Sequence, residues 1–510
     1  MNLTEILDST LRDGEQTPGV NFNTKDKLEI ARRLIEIAGT DSIEIASTQT
    51  SPAEYRSAKA VCDWARPLGY LDRIEILCFL NQSSVDWAEE VGCKVINLLA
   101  KGSKRHSSVQ FNGTPEEHIS RASKTARYAI EKGISVNSYL EDWSGGMLNG
   151  DYGKPDSYIN MMVQSLKGQG VNRIMLADTL GLLVPEEVSE FVGYMVRAFP
   201  EVTFDFHGHN DLGCAVENSI AAIMAGVRRV HTTVNGLGER AGNTDLSQIA
   251  VRLAKKTVDY RTNINLQSLH KLSILVDVLS GVDVAANAPV IGRNAFTQDC
   301  GVHASGDAKG GLYEGLLRPE EVGRVREYGL DKHAGASSVY QNIRKLGLNI
   351  SLEPQQVSIL LGKIKDLADQ GFYLDAYDLP ILIEDEIGMD VCKVRVLDYK
   401  ETRVEKGEDP RALVKLRVNG IEYEREGTGK GPFDAFMHAV GGICQSLGKP
   451  IPTLRKYRQK SRPGQETESF VETYIVWDDG ARYFETIGSS RNQIESEINA
   501  AEKMLNRNGF

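Results

Sequence analysis

The stretch Arg173–His209, RIMLADTLGLLVPEEVSEFVGYMVRAFPEVTFDFHGH, decides the fold. A short apolar run, Arg173–Thr179, ends in polar residues. An amphipathic stretch, Pro185–Phe199, follows with apolar residues at three- and four-residue intervals, and a second apolar run, Thr203–His209, repeats the first. Pro185 stands where a first helical turn tolerates proline, as does Pro115 earlier in the chain. Strand–helix–strand alternation implies parallel pairing. Six more runs complete the series: Glu5–Leu11, Ser42–Ser47, Arg73–Leu80, Lys94–Ala100, Ser135–Glu141 and Arg229–Gly236. Thr24–Ala38 and Pro115–Lys132 are among the amphipathic stretches between them. Eight such units imply closure into a (β/α)8 TIM barrel. An open doubly wound sheet is the rival, but no GxGxxG follows the first strand.

A second pattern occupies the C-terminus. Gly420-x-x-Tyr423 recurs as Gly480-x-x-Tyr483, each followed by a helical stretch (Phe433–Leu447, Asn492–Leu505) and preceded by an alternating strand (Ala412–Val418, Ser469–Trp477). This predicts two βββα repeats forming an α+β regulatory or dimerisation module, since the repeat carries no acid–base cluster. The expected domains are a catalytic barrel over 1–265, a mostly helical linker over 266–385 with a glycine-rich insertion near Gly301–Gly311, and the regulatory domain over 386–510.

The chain has 510 residues, too many for one hydrophobic core, and a net charge of −11 without a basic block. Nucleic acid is therefore not expected as a partner. The first twenty residues lack an apolar signal region, and no apolar run is long enough to span a membrane, so a cytoplasmic protein is expected. Seven scattered cysteines without a CxxC pair are read as small core residues.

Chemistry in such a barrel belongs at the C-terminal ends of the strands. His207 and His209 are two apart, so on a strand both face the same side. With Asp13 at the end of the first run they make two imidazoles and a carboxylate, a set that suits Mg2+, Mn2+ or Zn2+.

Three segments now carry a specific resemblance. Leu11-Arg12-Asp13-Gly14-Glu15-Gln16, His207-Gly208-His209-Asn210-Asp211 and Asn235-Gly236-Leu237-Gly238-Glu239-Arg240-Ala241-Gly242-Asn243 resemble the signatures of the 2-isopropylmalate, citramalate and homocitrate synthase family, a branch of the DRE-TIM metallolyases. The resemblance spans nearly the whole chain and implies a metal-dependent Claisen condensation of acetyl-CoA with a 2-oxo acid. It implies that the metal polarises the keto group, that Arg12 stabilises the developing alkoxide, and that Thr179 holds the substrate carboxylate. Glu141 is implied as the general base or the group that positions one. His303 and Tyr313 are implied at acetyl-CoA activation across a homodimer, and Asn243 is a further candidate near the metal.

The run Tyr139-Leu140-Glu141-Asp142-Trp143-Ser144 is similar to that of citramalate synthases. Leu77, Leu99 and Tyr139 are expected to line the pocket beside the keto carbon. A second substrate carboxylate would be buried there without a partner, which disfavours 2-oxoglutarate. Pyruvate, giving (R)-citramalate in isoleucine biosynthesis with isoleucine as effector, is therefore expected ahead of 2-oxoisovalerate, the 2-isopropylmalate alternative with leucine as effector. A 3-hydroxyacyl-CoA lyase shares the metal set but usually lacks the C-terminal module. A non-catalytic amino-acid-binding protein would be expected to have lost some of Arg12, Asp13, Glu141, His207 and His209, and none is lost.

Overall fold

The computed structural model describes residues 2–111, 113–257, 259–402, 408–462 and 469–507. The chain divides into two compact units: Met1–Ala295 with Glu320–Gly323, and Phe296–Pro319 with Arg324–Phe510.

In the first unit eight parallel strands close into a barrel. They are β1 (Glu5–Asp8), β2 (Ser42–Ser47), β3 (Ile74–Cys78), β4 (Val95–Lys101), β5 (Ser135–Glu141), β6 (Arg173–Asp178), β7 (Thr203–Gly208) and β8 (Arg229–Thr232). The intervening helices start where the sequence offers caps. Thr114 Oγ1 accepts from Glu117 N and Glu117 returns the bond to Thr114 N, with Pro115 in the first turn. Pro185 likewise stands in the first turn of the helix Pro185–Ala198, where Glu187 accepts from Val184 N.

Alternation along the strands sorts two chemistries onto two faces. Ile43, Ile45, Ile76, Leu98, Leu140, Leu176 and Phe206 are fully buried. Their polar alternates hydrogen-bond across the lumen: Asn97 to Glu44, Asn137 to Asn97 and Glu75, and Arg229 to Glu75. The interior of this barrel is thus a satisfied polar network over part of its height, where branched apolar layers are the common filling.

The first strand is shorter than its apolar run. It ends at Asp8, because the carbonyl of Ser9 accepts from the amides of Arg12, Asp13 and Gly14 and folds residues 9–14 into a turn. Arg12 and Asp13 therefore project from that turn and not from the strand.

The second unit begins with helical pieces, Gly301–Ala308, Ala336–Lys345, Pro354–Asp369 and Leu379–Ile387, the last three around an apolar cluster that includes Val339, Leu360 and Ile383. The glycine-rich stretch is thus largely helix. Two antiparallel three-stranded sheets follow: β9 (Val394–Thr402), β10 (Arg411–Val418) and β11 (Ile421–Thr428), then β12 (Thr453–Arg462), β13 (Phe470–Asp478) and β14 (Tyr483–Ser490). Each sheet is followed by a helix, Pro432–Ser446 and Gln493–Arg507, and both repeats share one core holding Phe436 and Trp477.

Gly427 and Gly488 occupy corresponding places near the ends of β11 and β14. A Cβ on Gly427 would strike backbone of Ala435 and Ala439, and one on Gly488 backbone of Ser496 and Ala500. Each sheet touches its helix at a glycine. We expect Gly427→Ala and Gly488→Ala each to destabilise the C-terminal repeats by about 1–3 kcal/mol, read as faster hydrogen exchange in β10 and β13. Gly441→Ala, in a helix position with open space around the new Cβ, should be neutral or stabilising by up to about 1 kcal/mol.

Candidate metal centre and substrate pocket

The turn after β1, the end of β7 and the interior of β5 meet at the mouth of the barrel. Ligand atoms of Asp13, His207 and His209 lie within 4.8 Å of one another, and all three residues are buried. His207 Nε2 is 3.2 Å from Asp13 Oδ2 and 3.2 Å from His209 Nε2. Asp13 Oδ1 and His209 Nδ1 are buried without a hydrogen-bond partner. Two imidazoles beside a carboxylate that keeps one oxygen unpaired are the donor set a divalent cation requires. The ionisation states fit as well. Burial alone would raise the Asp13 carboxyl, but Arg12 and the two histidines outweigh it and hold the group well below its usual range. Burial, reinforced by His207, pushes His209 down to about 4. At neutral pH the acid is charged and His209 neutral, the forms that bind metal.

Arg12 anchors the arrangement. Its Nη1 is 2.9 Å from Asp13 Oδ2, its Nε and Nη2 are each 2.6 Å from Glu44 Oε2, and its Nη2 donates to the Tyr139 hydroxyl at 3.2 Å. Burial opposes the guanidinium charge, but Asp13 and Glu44 overcome that penalty and keep it protonated. The Tyr139 hydroxyl also lies 3.2 Å from Glu44 Oε2 and 3.2 Å from His231 Nδ1. Its ring packs with Leu77, Met175 and Ala177, with Leu99 partly exposed against them. Leu77, Leu99 and Tyr139 are thus brought into one apolar wall beside Arg12.

Glu141, Thr179 and Asn243 stand around this centre. Glu141 ends β5 and forms an ion pair with the buried ammonium of Lys101. Thr179 follows β6 directly, and its Oγ1 accepts from Asp142 N at 2.8 Å. Asp142 is in the left-handed region (φ 61°), with its carboxylate 2.5 Å from Ser103 Oγ. Arg240 ties the loops together, donating to Thr179 O at 2.6 Å and to Asp211 at 2.8 Å. Asn243 bridges to His209, donates to Leu237 O, and keeps a buried Oδ1 without a partner. In the second unit, the rings of His303 and Tyr313 pack at a tilt of 33° with centroids 4.1 Å apart, and Gly306 leaves the room that the Tyr313 ring needs.

Glu44, Lys101, Met175, Ala177, Asp205 and His231 belong to this centre and are absent from the sequence-level site. Their signal was parity. Met175 and Ala177 share a strand face with Thr179, and Asp205 with His207. Glu44 is a lone acid inside the apolar run Ser42–Ser47.

Of the cysteines, Cys62, Cys78, Cys93, Cys392 and Cys444 are buried and all seven are free thiols. Among the described residues no helix is long and apolar enough to cross a membrane.

Comparison with known proteins places these features in context. Residues 4–276 match the HMGL-like family, residues 290–372 the homocitrate synthase post-HMGL domain-like family, and residues 373–508 the LeuA allosteric (dimerisation) domain. A protein of Methanopyrus kandleri provisionally named 2-isopropylmalate synthase is 31% identical over 508 residues, covering 98% of this chain and 97% of its own length. A protein of Methanothermobacter thermautotrophicus provisionally named (R)-citramalate synthase CimA is likewise 31% identical over 508 residues, with the same coverages. The 2-isopropylmalate synthase of Methanocaldococcus jannaschii is 29% identical over 509 residues, 98% of this chain and 94% of its own. Among solved structures, the HMG-CoA lyase from Brucella melitensis is similar at 22% identity and a TM-score of 0.47, over 55% of this chain and 100% of that one.

The geometry makes a direct prediction. Metal-stripped protein reloaded with Mn2+ and desalted should retain about one ion per chain, and Asp13→Ala or His207→Ala should retain almost none, as measured by elemental analysis.

Proposed function

The chain belongs to the HMGL-like family, in its 2-isopropylmalate, citramalate and homocitrate synthase branch, and from that premise we propose that it condenses acetyl-CoA with pyruvate to give citramalate and CoA. The observation that carries the choice of pyruvate is the apolar wall of Leu77, Tyr139, Met175 and Ala177, with Leu99 at its edge. Tyr139 is held in place by its hydroxyl contacts, so its bulk stands fixed beside the keto carbon. A methyl group fits such a wall, while an isopropyl group requires it to give way. A second carboxylate would find no cationic partner among these five residues.

A divalent ion held by Asp13, His207 and His209, Mg2+ or Mn2+ ahead of Zn2+, supplies Lewis-acid polarisation of the 2-oxo acid carbonyl. The protein's own groups do the rest. Arg12, kept charged by Glu44 and Asp13, points donors at the region where the alkoxide develops. The Thr179 hydroxyl, already fixed as acceptor from Asp142 N, retains its own proton to donate to the substrate carboxylate. Glu141 takes, or directs the removal of, a proton from the acetyl methyl, and its ion pair with Lys101 holds the carboxylate in place. The carbanion so formed attacks the keto carbon, and water then cleaves the thioester to release citramalate and CoA. His303 and Tyr313 are placed by this reading at acetyl-CoA activation. The LeuA allosteric (dimerisation) domain supports a homodimer under feedback control, and with pyruvate as acceptor isoleucine is the effector that fits.

The test is thiol release from acetyl-CoA by metal-replete protein given pyruvate, 2-oxoisovalerate or 2-oxoglutarate. Release is expected to be fastest with pyruvate. Preference for 2-oxoisovalerate would make the enzyme a 2-isopropylmalate synthase and overturn the role given to Tyr139, and no release with any acid would overturn the condensation itself. Leu99→Ala should shift the kcat/KM ratio toward 2-oxoisovalerate by about 10-fold or more, the scale of one or two methylenes in a pocket.

A further inference from the structure

Strand β5 stands between β4 and β6, and at its end a single peptide plane reaches both neighbours. That plane joins Glu141 to Asp142. Its carbonyl, on Glu141, accepts from Gly102 N at 2.5 Å, and its N–H, on Asp142, donates to Thr179 Oγ1 at 2.8 Å. Main-chain pairing between β5 and β6 stops at Leu140 and Leu176. Beyond it a side-chain hydroxyl takes the place of a backbone acceptor. An amide N–H only donates, so the bond fills a lone pair of Thr179 Oγ1 and leaves the hydroxyl's hydrogen for another acceptor.

The plane owes its orientation to the left-handed backbone of Asp142 (φ 61°, ψ 30°), a conformation that Gly, Asn and Asp bear better than other residues. The chain that follows is fixed. Asp142 O accepts from Gly146 N at 3.0 Å in the short helix Trp143–Gly146. That helix lies so close to the segment after β4 that a Cβ on Gly102 would be 2.7 Å from Trp143 Cα, and one on Gly146 would strike Gly102 O. The side chain is fixed too. Oδ2 of this buried carboxylate accepts from Ser103 Oγ at 2.5 Å and lies 3.5 Å from His106 Nε2, while a Cβ on Gly145 would overlap the carboxylate. With β5 and the helix both held, a change of φ to negative values has to turn the 141–142 plane, and its N–H would then leave Thr179. Backbone outliers of this kind are kept where the surroundings over-determine them, and they gather at functional sites.

We propose that Asp142 is a positioning residue for the 2-oxo acid: Ser103 anchors it in the left-handed conformation, and its peptide N–H turns the Thr179 hydroxyl so that the hydrogen is presented to the substrate carboxylate. The inference rests on the reading of Thr179 as the group that holds that carboxylate. It assigns the working part of Asp142 to its backbone and makes the carboxylate an anchor.

The test compares Asp142→Ala, Asp142→Gly, Asp142→Asn and Thr179→Val in the full-length, metal-replete protein, by thiol release with pyruvate and acetyl-CoA varied in turn. Glycine reaches φ 61° freely and asparagine with little strain, whereas alanine does not. Asp142→Ala should lower kcat/KM for pyruvate about 10-fold, the worth of one oriented hydrogen bond, and leave the KM for acetyl-CoA where it was. Asp142→Asn and Asp142→Gly should recover most of that loss, although glycine brings no carboxylate. In the Thr179→Val background, Asp142→Ala should cost less than about 2-fold, since the hydroxyl it orients is gone. A glycine variant no better than the alanine variant would overturn the proposal, and so would full additivity with Thr179→Val.

Residue-resolved hydrogen exchange on the metal-free protein gives a readout independent of turnover. The Asp142 amide should exchange slowly in the wild type and about 10-fold faster in Thr179→Val, which removes its acceptor. Equal exchange in the two would overturn the proposal at its first bond. Should Asp142→Ala fail to fold, this exchange and the activity of Asp142→Gly decide. The two readings separate cleanly. A wild type that condenses no acid, with exchange at Asp142 that Thr179→Val quickens, would remove the reaction and leave the hydroxyl oriented. A condensing wild type with equal exchange in both proteins would do the reverse.

Discussion

A single buried guanidinium holds the mouth of this barrel together. Arg12 lies between the carboxylates of Glu44 and Asp13 where little water reaches, and its guanidinium donates to both. A buried charge costs several kcal/mol unless it is paired and its hydrogen bonds are filled. The turn at Ser9, which brings Arg12 and Asp13 off the strand, makes that pairing available. Everything nearby takes its position from this contact. Asp13 is turned with one oxygen on Arg12 and one unused, Tyr139 is pinned by its hydroxyl, and the apolar wall behind Tyr139 inherits a fixed face.

The lower part of the barrel works by the same rule. Glu75, Asp205, Arg173 and Arg229 pair charge with charge, and Asn97 and Asn137 bridge the remaining acceptors. A barrel filled in this way gains less from burial than one packed with Val and Ile. It gains orientation in return, because each side chain is fixed by directional bonds to its neighbours. On the function proposed above, the centre over it calls for that property, since ligands and pocket wall would have to stay in place while chemistry proceeds.

Much of this was legible in the sequence. The eight strands announce themselves as short apolar runs, and the helices as capped amphipathic stretches, because both signals are local. Asp13, His207 and His209 were within reach for the same reason: two histidines of equal parity at a strand end need no tertiary information. Glu44, Asp205 and His231 were not, because a polar residue inside an apolar run acquires meaning only when closure of the barrel sets it opposite a partner 26 to 92 residues away. The end of β1 was overrun because Thr10 and Leu11 continue an apolar pattern that hydrogen bonding to Ser9 cuts short. Lys101 gave no sign of its pairing with Glu141, since the two are neighbours across β4 and β5 and forty residues apart in the chain. In the C-terminal repeats the Gly-x-x-Tyr echo was visible, while the matched glycines Gly427 and Gly488 gain their meaning from helices that pack over them.

The central claim is that Asp13, His207 and His209 hold a divalent cation beside Arg12 and that a small 2-oxo acid binds there against Tyr139. Anomalous X-ray diffraction from crystals grown with Mn2+ and pyruvate tests it most directly. The account predicts one manganese peak bounded by these three side chains, with pyruvate between it and Arg12 and its methyl toward Tyr139. A manganese peak elsewhere in the barrel, or none at these residues in crystals that bind the ion, would contradict it.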